Sequence, residues 1–99
     1  MKITKEEIFK EIMFSFGIPT KIKETKKAFI SGKYKYYKDE NIIIKESIET
    51  EYIGGRYEKV KKMVVFIIEK TMGVIKVINK DTNRVVIDFK HKTEPLVLV

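Results

Sequence analysis

Residues 42–68, IIIKESIETEYIGGRYEKVKKMVVFII, decide the fold of this 99-residue chain. Ile42, Ile44, Ile48, Thr50 and Tyr52 fall on alternate positions interrupted by Glu46, with Lys45, Ser47, Glu49 and Glu51 mostly opposite. A period of two is the mark of a β-strand, because successive side chains point to opposite faces of a sheet. Gly54-Gly55 then provides two adjacent residues that tolerate positive φ, as a tight hairpin turn requires. The chain returns from Arg56 to Lys70. Val60, Val64, Phe66 and Ile68 fall on one face of that strand, and Met63, Val65 and Ile67 on the other. Its β-branched content favours strand over helix. The run from Met63 to Ile68 is apolar on both faces, so both faces of the sheet require cover there.

Upstream, the pattern is helical. Thr4 and Glu7 form a capping box, and Ile3 and Ile8 have the spacing of a hydrophobic staple. Ile8, Phe9, Ile12, Met13 and Phe16 make one apolar stripe. Gly17 and Pro19 stop it, so a helix is expected over residues 5–16. A helix of about three turns covers one sheet face only. Residues 20–32 fit neither period. The second face could be covered by that segment, by the sheet curling on itself, or by a second copy of the chain.

Further strands are expected at about 33–37, 41–53, 56–70, 74–79 and 84–90, with turns at Lys38–Asn41, Thr71–Gly73 and Asp81–Asn83. Pro95 bars a helix near the end, and Leu96-Val97-Leu98-Val99 is expected to add an edge strand. The pattern as a whole predicts one α+β domain: an N-terminal helix packed on a mostly antiparallel sheet of about five strands built from hairpins.

Composition narrows the chemistry. The chain has no cysteine, which excludes disulfides and thiolate metal sites. His91 is the single histidine and is flanked by lysines, which points to a solvated side chain. Ser15, Ser31 and Ser47 lie in no nucleophile motif. Glu46, Glu49, Glu51 and Glu58 read as a charge ladder across the Gly-Gly hairpin, with lysines such as Lys59 or Lys61 as partners. No catalytic residue, metal or cofactor is expected, and the chain reads as a non-enzymatic binding or structural protein. The Met1–Glu7 stretch carries acids and lacks an apolar h-region, so it does not read as a signal peptide, and the longest apolar run is too short to span a bilayer; with the absence of cysteine, an intracellular location is expected.

The charge is segregated. The net charge is +7, and residues 21–38 carry seven lysines against Glu24. Lys21, Lys23, Lys26, Lys27, Lys33, Lys35 and Lys38 interleave there with Phe29, Tyr34, Tyr36 and Tyr37. Lysines neutralise phosphates and exposed rings stack on bases, so this segment is a candidate for sequence-tolerant, salt-dependent nucleic-acid binding. A second candidate is a protein interface formed by Met63, Val65, Ile67, Leu96 and Leu98. An uncovered apolar face of that kind predicts a homodimer.

Lysine, isoleucine and glutamate dominate, and glutamine is absent. Lys/Glu enrichment with few thermolabile side chains is a hyperthermophile signature, and an AT-rich genome gives a similar bias towards lysine and isoleucine. In length, in this bias and in stretches such as Tyr34-Lys35-Tyr36-Tyr37 and Met63–Ile68, the chain resembles short proteins encoded by filamentous and rod-shaped viruses of hyperthermophilic archaea, the lipothrixvirus and rudivirus groups. That resemblance implies a viral protein of high stability, working in the host cytoplasm, and assigns no functional residue.

Overall fold

The structure is a computed structural model that describes residues 2–18, 21–71, 74–89 and 97–98. Its one helix among the described residues, α1, spans Lys5–Ser15. Thr4 caps it, accepting a hydrogen bond at Oγ1 from the Glu7 N–H at 3.1 Å. The strands are β1 (Lys2–Ile3), β2 (Lys23–Glu24), β3 (Ala28–Ser31), β4 (Tyr34–Tyr37), β5 (Ile42–Ile53), β6 (Arg56–Thr71), β7 (Val74–Asn79), β8 (Arg84–Phe89) and β9 (Val97–Leu98). Strands β2 to β8 form one antiparallel sheet in chain order.

The expected five-stranded α+β arrangement is therefore corrected to a mostly β molecule with a seven-stranded meander and one short helix. The extra strands come from residues 20–32. Far from covering the second face, that segment extends the sheet through β2 and β3. Two strands of two and four residues are too short for a period to show. What joins them is local chemistry: Thr25 Oγ1 accepts from the Ala28 N–H and donates to the Ala28 carbonyl, both at 3.0 Å. The tail also departs from expectation. Strand β9 pairs in parallel with β1, outside the main sheet.

The main hydrophobic cluster lies on one face of the sheet. Ile8, Phe9, Ile12 and Met13 of α1 are buried there against Phe29, Tyr36, Ile43, Phe66, Ile68, Ile75 and Val77. The register explains the grouping, because Phe29 pairs with Tyr36, Tyr36 with Ile43, Ile43 with Phe66, and Ile68 with Val77. Directly opposite residues share a face, so these side chains form one row under the helix. Phe9 meets Tyr36 edge-on, with ring centroids 5.9 Å apart.

Lys5 ties the helix start to the β4–β5 turn. Its Nζ donates to the carbonyls of Lys38 at 2.6 Å and Glu40 at 3.0 Å, and lies 5.2 Å from the Tyr36 ring centroid. Burial pulls its pKa below the ordinary lysine value, with Asp39 opposing the shift.

Strands β5 and β6 outrun the rest of the sheet. β4 pairs with β5 only as far as Lys45, and β7 pairs with β6 only from Phe66 onward. Beyond those limits, eight residue pairs, from Glu46–Met63 to Ile53–Arg56, form a two-stranded arm. Gly54 and Gly55 close it with φ of 59° and 86°, the positive values that a two-residue turn matched to strand twist demands. At about 3.3 Å per residue the arm is about 26 Å long, nearly half of the molecule's 57 Å axis.

Candidate interaction surface

The sheet face turned away from α1 carries the side chains that alternate with the core row. Tyr37, Ile42, Ile44, Val65, Ile67 and Ile78 lie on it, only half-buried. No described element packs over them. Along the arm the same face continues with Met63 at 56 % exposure, Ile48 at 70 %, Tyr52 at 66 % and Tyr57 at 77 %. Tyr52 and Tyr57 are cross-strand partners whose rings stand 5.2 Å apart, edge to face. With about 150–250 Å² for a whole aromatic residue, those two leave on the order of 200–350 Å² open to solvent. Single exposed apolar residues are ordinary, but a group of them on one face is not.

The opposite face of the arm is charged. Lys62 reaches diagonally to Glu51 at 2.5 Å and Glu49 at 3.1 Å. The hydrogen bonds it donates to Glu51 and Glu49 hold its pKa above the ordinary lysine value. Arg56 meets Glu58 at 3.1 Å near the turn. Lys61, on the apolar face, meets Glu46 at 3.6 Å. The ladder expected from the sequence thus exists, with Lys62 as the partner of Glu49 and Glu51 in place of Lys59 or Lys61. The two faces of the arm differ in degree: one is dominated by ion pairs, and the other exposes Ile48, Tyr52, Tyr57 and Met63 among Glu46, Thr50, Lys59 and Lys61.

Met63, Val65 and Ile67 stand in line on the uncovered face, as alternate residues of one strand must. Leu96 lies outside the described residues. Leu98 belongs to β9, which pairs with β1 and is not a strand of the seven-stranded sheet.

The structure disperses the basic-aromatic segment. Phe29 and Tyr36 are buried in the core, and Tyr34 packs with Phe16 and Phe66 beneath the helix end. Tyr37 lies on the uncovered face. Burial raises the Tyr36 phenol to about 12, and its hydroxyl finds no hydrogen-bond partner among the described residues. Lys23 and Lys35 point to the uncovered face, while Lys26 and Lys27 sit in the β2–β3 turn and Lys33 at the opposite end, in the β3–β4 turn. Lys38 is paired with Glu24 at 3.0 Å and lies over the Phe29 ring. Alternation with lysine marked these tyrosines as strand residues, and it said nothing about which face the helix would take.

Two shallow depressions flank Lys33. One, of about 540 Å³, is lined by Lys33, Glu46, Ser47, Ile48 and Lys61 where the arm leaves the body. The other, of about 370 Å³, lies between Phe16, Ser31, Tyr34 and Lys45. Among the described residues no cluster of three or more His, Cys, Asp or Glu side chains could hold a metal, and His91 lies outside them. No described helix is long and apolar enough to cross a membrane.

The chain matches no protein-family model, and no curated protein or solved structure matches it. What it does must therefore be read from its own surfaces.

Proposed function

We propose that this protein is a non-catalytic assembly module that works as a homodimer through the uncovered face of its sheet. One observation carries the reading: Ile67, Val65 and Met63 stand in line on a face that no described element covers, and Ile48, Tyr52 and Tyr57 extend it along the arm, where Lys59 and Lys61 share the face. Water against such apolar side chains is costly at about 25 cal/mol per Å². A second copy supplies an identical set, which is the self-complementarity that a two-fold interface needs.

Sedimentation velocity at micromolar concentration tests this. The expected species has twice the chain mass, and Met63→Glu, at a position already more than half exposed, returns it to a folded monomer. A wild-type chain that stays monomeric throughout that range overturns the reading.

The second reading, sequence-tolerant binding of nucleic acid, is favoured by the net charge of residues 21–38. It rests on the lysines there, since Phe29 and Tyr36 are buried and cannot stack on bases. Fluorescence anisotropy with a labelled oligonucleotide decides it. Binding at low salt that fades steeply as salt rises supports it, and no binding at low salt removes it.

A further inference from the structure

The arm itself explains how a second copy fits. An isolated two-stranded ribbon is at best marginally stable in water, because neither face is buried. Here eight pairs project, and one face exposes Ile48, Tyr52, Tyr57 and Met63 among Glu46, Thr50, Lys59 and Lys61. Resting on the homodimer reading above, we propose that each arm lies across the uncovered face of its partner's body, so that two copies clasp each other reciprocally.

Three observations lead there. The first is length. Strand β6 divides into equal halves, Arg56–Met63 in the arm and Val64–Thr71 in the body. A two-fold axis level with Val64 lays Tyr57–Met63 of the arm over Val65–Thr71 of the partner subunit, with only Arg56 and the glycine turn reaching past the end of that strand. The second is chemistry. That axis brings Met63 level with Val65 of the partner subunit, apolar on apolar. It also brings Lys59 level with Glu69 of the partner subunit, at the far end of the body. Lys59 and Glu69 both lie on the uncovered face, and both are exposed.

The third observation closes the alternative route. Past Lys45 and before Phe66 the arm's two outer edges are unpaired with any described strand, and open edges invite another strand. The β5 half of the arm carries Glu46, Glu49 and Glu51 with no basic residue. The β6 half carries Arg56, Lys59, Lys61 and Lys62 against Glu58. Pairing either edge with its own copy sets like charges side by side, which is destabilising. Contact through the face is left as the symmetric option.

Because the chain has no cysteine, introduced thiols report the geometry directly. The double variant Lys59→Cys/Glu69→Cys is treated with a short-spacer bismaleimide. Within one chain the two positions are ten residues apart on an extended strand, about 33 Å, beyond the spacer's reach. The expected product is a covalent dimer on a denaturing gel, at least about tenfold more abundant than from Lys59→Cys alone. Tyr52→Ser/Tyr57→Ser is expected to weaken dimerisation by at least about tenfold while leaving the body folded by circular dichroism. If the wild type is a dimer yet the double-cysteine variant does not cross-link, the reciprocal arm is wrong and the homodimer stands. If the wild type is a monomer, both fall.

Discussion

The body and the arm are built from the same two strands and the same alternation, yet they differ in what that alternation achieves. In the body, Ile43 and Phe66 sit opposite each other under α1 and are buried. In the arm, Tyr52 and Tyr57 sit opposite each other in the same ladder and are mostly exposed. Pairing alone buries little. A strand pair gains its stability when a second layer covers one of its faces. The body has that layer in α1, and the arm has none within its own chain.

This contrast predicts a graded response to substitution. The largest effect belongs under the helix. Phe9→Ala removes a fully buried ring from the centre of the core and is expected to lower stability by about 3–5 kcal/mol, measured by urea denaturation. Lys5→Met is next, because it leaves the turn carbonyls of Lys38 and Glu40 without their charged donor. A loss of about 1–2 kcal/mol is expected, and no change in the denaturation midpoint would show that the helix start needs no such tie.

Tyr36→Phe works in the other direction. It removes a buried hydroxyl without a described partner and keeps the ring, so stability should rise by about 1 kcal/mol. It also has a pH signature. The Tyr36 phenol titrates near 12 in the folded chain against an ordinary value of 10.0. Below pH 10 it is neutral in both states and costs nothing. Above pH 10 the unfolded chain loses that proton first, so stability falls until the folded phenol ionises as well. The variant should lose that part of its alkaline destabilisation, which denaturation midpoints between pH 9 and 12 will read.

The smallest effect on the single chain is expected in the arm. Ile48→Ser and Tyr57→Ser should each change monomer stability by no more than about 0.5 kcal/mol, measured at dilution, while self-association weakens. A large loss of monomer stability from either would erase the distinction between body and arm.

Much of this was legible in the residues. Thr4 and Glu7 marked the helix start, and Thr4 caps it. Gly54-Gly55 marked the hairpin turn, and both residues have positive φ. Val64, Phe66 and Ile68 were separable from Met63, Val65 and Ile67 because the two sets fall on opposite faces of one strand. Strands β2 and β3 were not legible, since four residues or fewer cannot display a period and Thr25 forms its turn without glycine or proline. The fate of Tyr34 and Tyr36 was hidden for another reason. Alternation gives parity, and the face that the helix chooses is a property of the assembled sheet.

The sequence by itself determined the local geometry of the helix, the long hairpin and the apolar strand with two apolar faces, because caps, turns and periods act between residues close in the chain. Only the tertiary structure decided that the two halves of that hairpin have different surroundings. Where β4 and β7 stop pairing, and which face α1 covers, depend on contacts between distant segments. Those contacts turn one uniform pattern into a buried body and an exposed arm.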